Sequence, residues 1–242
     1  MTPRLHVPVP LVPGARLSLP ERAVRHVQVL RLQPGAALRV FDGVSAEEWE
    51  ARIERIGKRQ VEVTVGPAPE RVDRELARRI VLAVGMPAND RMDALVEKAT
   101  ELGAAGIAPI VTARSVLRLD GARAEGRQRH WQAIAEAACE QCGRAIVPRI
   151  ATPEPLAAFL ARDGDPAPTA DVVLSLAADA GDGALRESGT GSIRVLSGPE
   201  GGLDDEEERA VRAAGFRPVS LGPRTLRADT APLAALVLLA CR

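Results

Sequence analysis

The 242-residue chain has no tyrosine, and its two tryptophans and three phenylalanines make aromatics only 2% of the residues. That excludes an RNA-binding surface that stacks several bases on aromatic rings. Lysine is also nearly absent: Lys58 and Lys98 stand against thirty arginines, and the formal net charge is zero. Any docking to a polyanion must then be local and carried by guanidinium groups. The three cysteines and the scattered His6, His26 and His130 give no metal cluster. Cys139 and Cys142 form a C-x-x-C inside "HWQAIAEAACEQCGR", where Ile134, Ala138 and Cys142 recur at helical spacing. No second cysteine pair or His-x-x-x-His completes a zinc site, so no metal is expected. The longest apolar run, "APLAALVLLAC" from Ala231, is shorter than the roughly 20 residues that cross a bilayer. Prolines interrupt the apolar stretch of "MTPRLHVPVPLVPG" that a signal peptide would need. A cytoplasmic protein with no membrane partner is the expectation. Two phosphate motifs are missing as well: G-x-x-x-x-G-K-[ST], and a G-x-G-x-x-G following a strand. Their absence argues against a P-loop enzyme and against a dinucleotide-dependent oxidoreductase.

What is present divides the chain by charge and by rhythm. Residues 1–79 hold fourteen Lys/Arg and ten Asp/Glu, and the remainder holds eighteen and twenty-two. A basic part followed by an acidic one suggests a polyanion-docking module, although a genomic bias toward arginine explains the count equally well. Up to about Pro69 the pattern alternates: "AALRVFDG", "EEWEARIERIG" and "RQVEVTVG" read as short strands, with one helix over Glu21–Arg31. That describes a small β-barrel, followed by "PAPERVDREL" as a linker. From Arg79 strands and helices alternate. "RIVLAVGM", "AGIAPIVTARSV", "DVVLSLA", "SIRVLSG" and "FRPVSLG" are apolar strands of a mostly parallel sheet. Asn89 is placed to cap a helix whose buried stripe includes Met92, Leu95, Val96, Ala99 and Leu102, and an arginine-rich loop (Arg114 to Arg129) precedes the Trp131 helix.

In such a sheet a ligand sits beyond the carboxyl ends of the strands. Three strand ends carry unusual loops: Leu176-Ala177, Gly198 to Gly202, and Leu221 to Arg227. The middle one, "SGPEGGLDDEEE", runs from three glycines straight into five acids. A helix N-terminus ordinarily attracts phosphate, and Asp204 to Glu208 would repel it. The acids satisfy the helix dipole themselves. The loop suits a flat, neutral or cationic ligand approached closely by backbone, because glycine has no side chain. S-adenosylmethionine, a sulfonium without phosphate, meets that description. A tight turn with no ligand accounts for the glycines equally well.

"LSGPEGGLDDEE" together with "VSLGPRTLRADTA" resembles the paired signature of the RsmE family, SPOUT-class methyltransferases that modify uridine N3 in small-subunit (16S) ribosomal RNA. "MDALVEKATELGAAGIAPIVTARSV", "RHWQAIAEAACEQCGRAIVPRI" and "HVQVLRLQPGAALRVFDG" resemble it in the same order, so the likeness covers nearly the whole chain. It implies a PUA-like β-barrel RNA-binding domain over residues 1–72 and a SPOUT α/β methyltransferase domain with a C-terminal trefoil knot over 73–242. It implies S-adenosylmethionine as cofactor, a homodimer, and ribosomal RNA in an assembled or nearly assembled small subunit as partner. Carried over by position, the cofactor loops fall on Leu176, on Gly198, Pro199, Glu200, Gly201 and Gly202, and on Leu221, Gly222, Leu226 and Arg227. The family reads L-R-x-E-T-A where this chain has "LRADTA", with Asp229 shorter by one methylene. A non-catalytic RNA-binding or ribosome-assembly factor of the same fold is the alternative.

Methyl transfer to an imide nitrogen requires positioned reactants, removal of the N3 proton and stabilisation of the developing anion. Glu200 and Arg227 lie in the cofactor loops and suit the last two roles. Without aromatic platforms, RNA binding falls to Arg4, Arg16, Arg25 and Arg31 in the barrel and to Arg114, Arg118 and Arg144 beyond it.

Overall fold

The computed structural model describes residues 2–117, 119–162, 169–177, 179–181 and 191–241. The chain divides into two units, Met1–Glu75 with Glu136–Val147, and Leu76–Ala135 with Pro148–Arg242.

The first unit has strands β1 (Arg4–His6), β2 (Arg16–Ser18), β3 (Ala37–Phe41), β4 (Glu47–Ile56) and β5 (Val61–Arg71), in the order β1-β3-β4-β5-β2. Helix α1 (Glu21–Val29) buries Ala23, Val24 and Val27. All five strands and α1 contribute to one apolar cluster, from Leu5 through Val40, Trp49 and Ile53 to Val63. A sheet this short buries its inner face only by wrapping around a shared core. β5 runs into the expected linker: Pro69, Glu70 and Arg71 pair with Trp49, Glu48 and Glu47. A register irregularity between Trp49 and Ala51 accompanies this stretch, as expected where a strand carries prolines that cannot donate to the ladder.

The second unit is built on β6 (Ile80–Gly85), β7 (Gly106–Val111), β8 (Arg149–Ile150), β9 (Glu154–Pro155), β10 (Ala170–Leu174), β11 (Ile193–Ser197) and β12 (Arg217–Val219). The order is β12-β10-β11-β6-β7-β8, with β9 also on β7, and every pairing is parallel. The helices are α2 (Asn89–Glu101), α3 (Gly121–Cys142, whose last turns from Glu136 belong to the first unit), α4 (Leu156–Leu160), α5 (Asp205–Ala213) and α6 (Thr230–Ala240). After the edge strand β12, α6 returns to pack on β11, β6 and α2. The C-terminal segment thus passes back over the middle of the sheet.

Two helix expectations need correction. Asn89 is the first residue of α2, and the N-cap position falls to Ala88 with no side-chain cap. Arg123, Arg127 and Arg129 lie within α3, not in a loop. That helix is secured by tertiary contacts: Trp131 is fully buried and its indole Nε1 donates to Asp93 Oδ1 at 2.9 Å. Helix α6 buries Pro232, Ala235, Leu236 and Leu239 and leaves Val237 and Leu238 41% and 46% exposed. Cys139 is buried, its thiol pushed up to about 12 by desolvation, and donates to Ile146 O. That environment leaves the thiol protonated and unreactive at neutral pH. Among the described residues no group of His, Cys, Asp and Glu could hold a metal ion, and no helix is long and apolar enough to cross a membrane.

Candidate active site

Parallel pairing puts the carboxyl ends of β12, β10, β11 and β6 along one edge of the sheet. A cleft of about 600 Å³ opens there, lined by Leu174–Ala177 after β10, Ser197–Leu203 after β11, and Val219, Leu221 and Arg224–Ala228 after β12. Arg91, Glu208 and Ala231 complete it.

The loop after β11 depends on missing side chains. Gly202 adopts φ +69°, and its N–H donates to Pro199 O at 2.8 Å. A Cβ on Gly198 would lie 3.0 Å from Gly202 C and Leu203 N, so the returning backbone would have to give way. A Cβ on Gly85, at the end of β6, would lie 2.5 Å from Pro199 N and Cδ. Beside Gly202 no protein atom lies within 4 Å of where a Cβ would project. Neighbouring segments hold the loop on both sides. Glu200 Oε1 accepts from Ala88 N at 3.1 Å and from Arg91 Nη1 at 3.3 Å, giving α2 the acceptor that its own sequence lacks. Arg114 Nη1 donates to Gly201 O at 2.8 Å and Leu203 O at 3.2 Å.

The acids after this loop have distinct partners. Asp204 Oδ1 accepts from Glu206 N and Glu207 N, and Glu207 Oε2 accepts from Asp204 N, which forms a capping box on α5. Glu207 Oε1 accepts from Ala113 N at 2.7 Å. Glu208 Oε1 accepts from Ser175 Oγ at 2.6 Å and from Arg212. Arg212 also forks onto Asp179, holding that carboxyl below its ordinary value. Ser175 Oγ in turn accepts from Ala177 N, so α5 fixes the loop after β10. In that loop Leu176 leaves 64% of itself exposed toward the cleft.

The loop after β12 supplies the cations. Arg224 and Arg227 are exposed, and among the described residues neither guanidinium has a partner. Gly222, at φ +103°, makes the turn with its N–H on Ser220 Oγ. It is the one expected cofactor residue that does not line the cleft; the other nine do. The sequence reading missed Arg91, Ser175, Glu208, Arg224 and Thr225. Arg224 and Thr225 lie within the quoted signature, whereas Arg91 and Glu208 reach the cleft from helices. Among the described residues Asp229 Oδ1, which is buried, has no partner, in keeping with a side chain too short to reach one.

A family model described as "RNA methyltransferase domain" matches residues 74–240, and one described as "RNA methyltransferase PUA domain" matches residues 19–66. The ribosomal RNA small subunit methyltransferase E of Synechocystis is 33% identical over 241 residues, 98% of this chain and 76% of that protein. The chain belongs to the RsmE family. The Bacillus subtilis member is 34% identical over 68% of this chain and 66% of its own length. The Neisseria gonorrhoeae member, solved bound to S-adenosylmethionine, superposes with a TM-score of 0.89 at 34% identity, covering 98% of this chain and 96% of that one. A Legionella pneumophila methyltransferase, also holding that cofactor, has a TM-score of 0.91 at 34% identity, with 100% and 98% coverage. The fold is therefore that of the PUA-like and SPOUT domains of RsmE proteins.

For this RsmE chain the structure redistributes the arginines expected to meet RNA. Arg4 is enclosed: its guanidinium donates to Cys139 O, Glu140 O, Arg144 O and Glu48 Oε2 and lies 4.8 Å from the Phe41 ring centroid. Arg144 is 3% exposed and forks onto Glu75 at 3.1 and 2.6 Å. Both are structural, because their donors are spent inside the unit. Arg16, Arg25 and Arg31 are exposed, Arg25 in an i,i+4 pair with Glu21. Arg114 is exposed but committed to the glycine loop, and Arg118 lies outside the described residues.

Proposed function

We propose that this RsmE-family protein methylates N3 of one uridine in 16S ribosomal RNA with S-adenosylmethionine as donor, acting in the cytoplasm as a homodimer on an assembled or nearly assembled small subunit. The supporting observation is the cleft: three loops at parallel strand ends, glycine backbone on one wall, two unpartnered arginines on the other, and no phosphate-binding motif. The residues fit the cofactor. Open space beside Gly202 admits a flat group, and Leu176 offers an uncovered apolar face. Leu176, Gly198, Pro199, Glu200, Gly201, Gly202, Leu221, Leu226 and Arg227 would hold it, with Gly222 shaping the turn.

S-adenosylmethionine, when bound, supplies an electrophilic methyl group on a sulfonium. The chain's residues then have two tasks. Glu200 has Oε1 tied to Ala88 and Arg91, and Oε2 has no partner among the described residues. It is positioned to accept the uridine N3 proton as the N–C bond forms. Arg227 places a planar guanidinium at the cleft with its donors uncommitted, suited to the charge that develops on the imide oxygens. Arg224 beside it suits the target nucleotide's phosphate. Val237 and Leu238 on α6 supply the apolar patch for the second copy.

Mapping N3-methyluridine across ribosomal RNA from cells with and without the protein tests this reading. One methylated uridine lost on deletion and restored by the wild-type chain is expected. An unchanged map would favour the non-catalytic assembly factor.

A further inference from the structure

Arg114 lies in the turn after β7, outside the cleft, where an exposed arginine invites assignment to an RNA phosphate. Its bonding argues otherwise. One nitrogen, Nη1, bridges the carbonyls of Gly201 and Leu203, at 2.8 and 3.2 Å, on either side of the left-handed Gly202. The stem packs beneath the same loop: a Cβ on Gly201 would lie 3.1 Å from Arg114 Cβ and 3.2 Å from Cδ. The next residue back joins in, since Ala113 N donates to Glu207 Oε1, three residues beyond the loop's capping Asp204. The turn itself is stiff, because Ser115 Oγ accepts from Thr112 N at 3.0 Å and pairs with Thr112 Oγ1 at 2.9 Å, both residues being buried.

We propose that Arg114 is a positioning residue for the cofactor wall of the cleft, holding the Gly201–Leu203 backbone in its binding conformation, and is not an RNA contact. This rests on assigning the cleft to S-adenosylmethionine. Glycine loops have many conformations to lose, and a charge-assisted bridge between two of their carbonyls removes that cost before the ligand arrives. Arg114 touches neither reactant, so its loss should appear in cofactor affinity and hardly at all in the methyl-transfer step at saturation.

The experiment measures binding of S-adenosylmethionine by calorimetry, binding of a 16S fragment against salt, and single-turnover rates, for wild type, Arg114→Ala, Arg114→Lys and Gly202→Val. Arg114→Ala should raise the cofactor Kd about tenfold, the scale for losing a charged hydrogen-bond bridge. Arg114→Lys, which keeps a charge but carries it on a shorter head that cannot place its nitrogen where Nη1 lies, should raise it about threefold. Rates at saturating cofactor, RNA affinity and the salt slope should stay within twofold of wild type. A cofactor Kd within twofold of wild type in both Arg114 variants overturns the proposal. So does a loss confined to RNA with a shallower salt slope, which marks a phosphate contact, or an equal loss of both ligands. Gly202→Val separates the two readings. If it also leaves cofactor binding intact, the assignment of the cleft fails. If it abolishes binding while Arg114→Ala does not, only the role of Arg114 fails.

Discussion

Replacing Gly85 by alanine tests whether the glycine loop is held by the sheet beneath it. The new Cβ would lie 2.5 Å from Pro199 N, 2.5 Å from Pro199 Cδ and 2.9 Å from Gly198 C. Two of those atoms are backbone and the third belongs to a rigid ring, so none can rotate away. Restoring an ordinary contact of about 3.5 Å requires a move of about 1 Å by the loop or by β6. β6 is the less free of the two, since it is paired on both sides, with β11 and β7. The loop should therefore move. Overpacking of this kind costs about 1–3 kcal/mol, and for a chain of this length each kcal/mol lowers Tm by about 2–4 °C. A 1 Å misplacement of a positioning element costs about 10²-fold in rate. Calorimetric unfolding should show the modest loss of stability, and titration of S-adenosylmethionine together with methylation of a 16S fragment should show the large functional one. Gly202→Ala is the comparison for stability alone: its Cβ meets no protein atom within 4 Å and adds the strain of φ +69°, but it enters the space assigned to the cofactor. Wild-type cofactor affinity and rate in the Gly85 variant would refute the argument that the strand end sets the loop's position.

Arg227→Lys keeps the charge and loses the planar fork, so single-turnover methylation at saturating RNA and cofactor should fall about 10²-fold or more with both affinities nearly unchanged; an unchanged rate with weakened RNA affinity would make Arg227 a phosphate clamp. Arg144→Ala leaves the partly buried Glu75 carboxylate without its fork and should destabilise the chain by about 3 kcal/mol, read by denaturant unfolding, while the salt slope of RNA binding stays as in wild type. A reduced salt slope with unchanged stability would return Arg144 to the RNA-binding set. Val237→Glu with Leu238→Glu touches only the exposed side of α6, so light scattering should find a monomer that melts within a few degrees of the wild type; a persisting dimer would place the interface elsewhere.

The alternation of strands and helices, the parallel sheet and the three strand-end loops were legible in the sequence. Each is written in short-range signals: apolar runs between turns, glycines where the backbone must double back, and an acid-rich first turn that caps its own helix. Nine of the ten expected cofactor residues converge because a parallel sheet brings successive strand ends to one edge, whatever the partners elsewhere. The burial of the arginines was not legible. Arg4 reaches Arg144 O across 140 positions and Arg114 reaches Gly201 O across 87, and nothing in the neighbourhood of either residue distinguishes it from the exposed Arg16 or Arg31. The N-terminus of α2 likewise takes its acceptor from Glu200, 112 positions away from Ala88, whereas the local pattern points to Asn89. Periodicity, caps and turns depend on neighbours within about four residues, and so the sequence alone determined the elements and the location of the cleft. Which guanidinium is spent on a carbonyl and which is left for a ligand depends on groups that only the folded chain brings into hydrogen-bond reach, so tertiary structure decided the roles of the arginines.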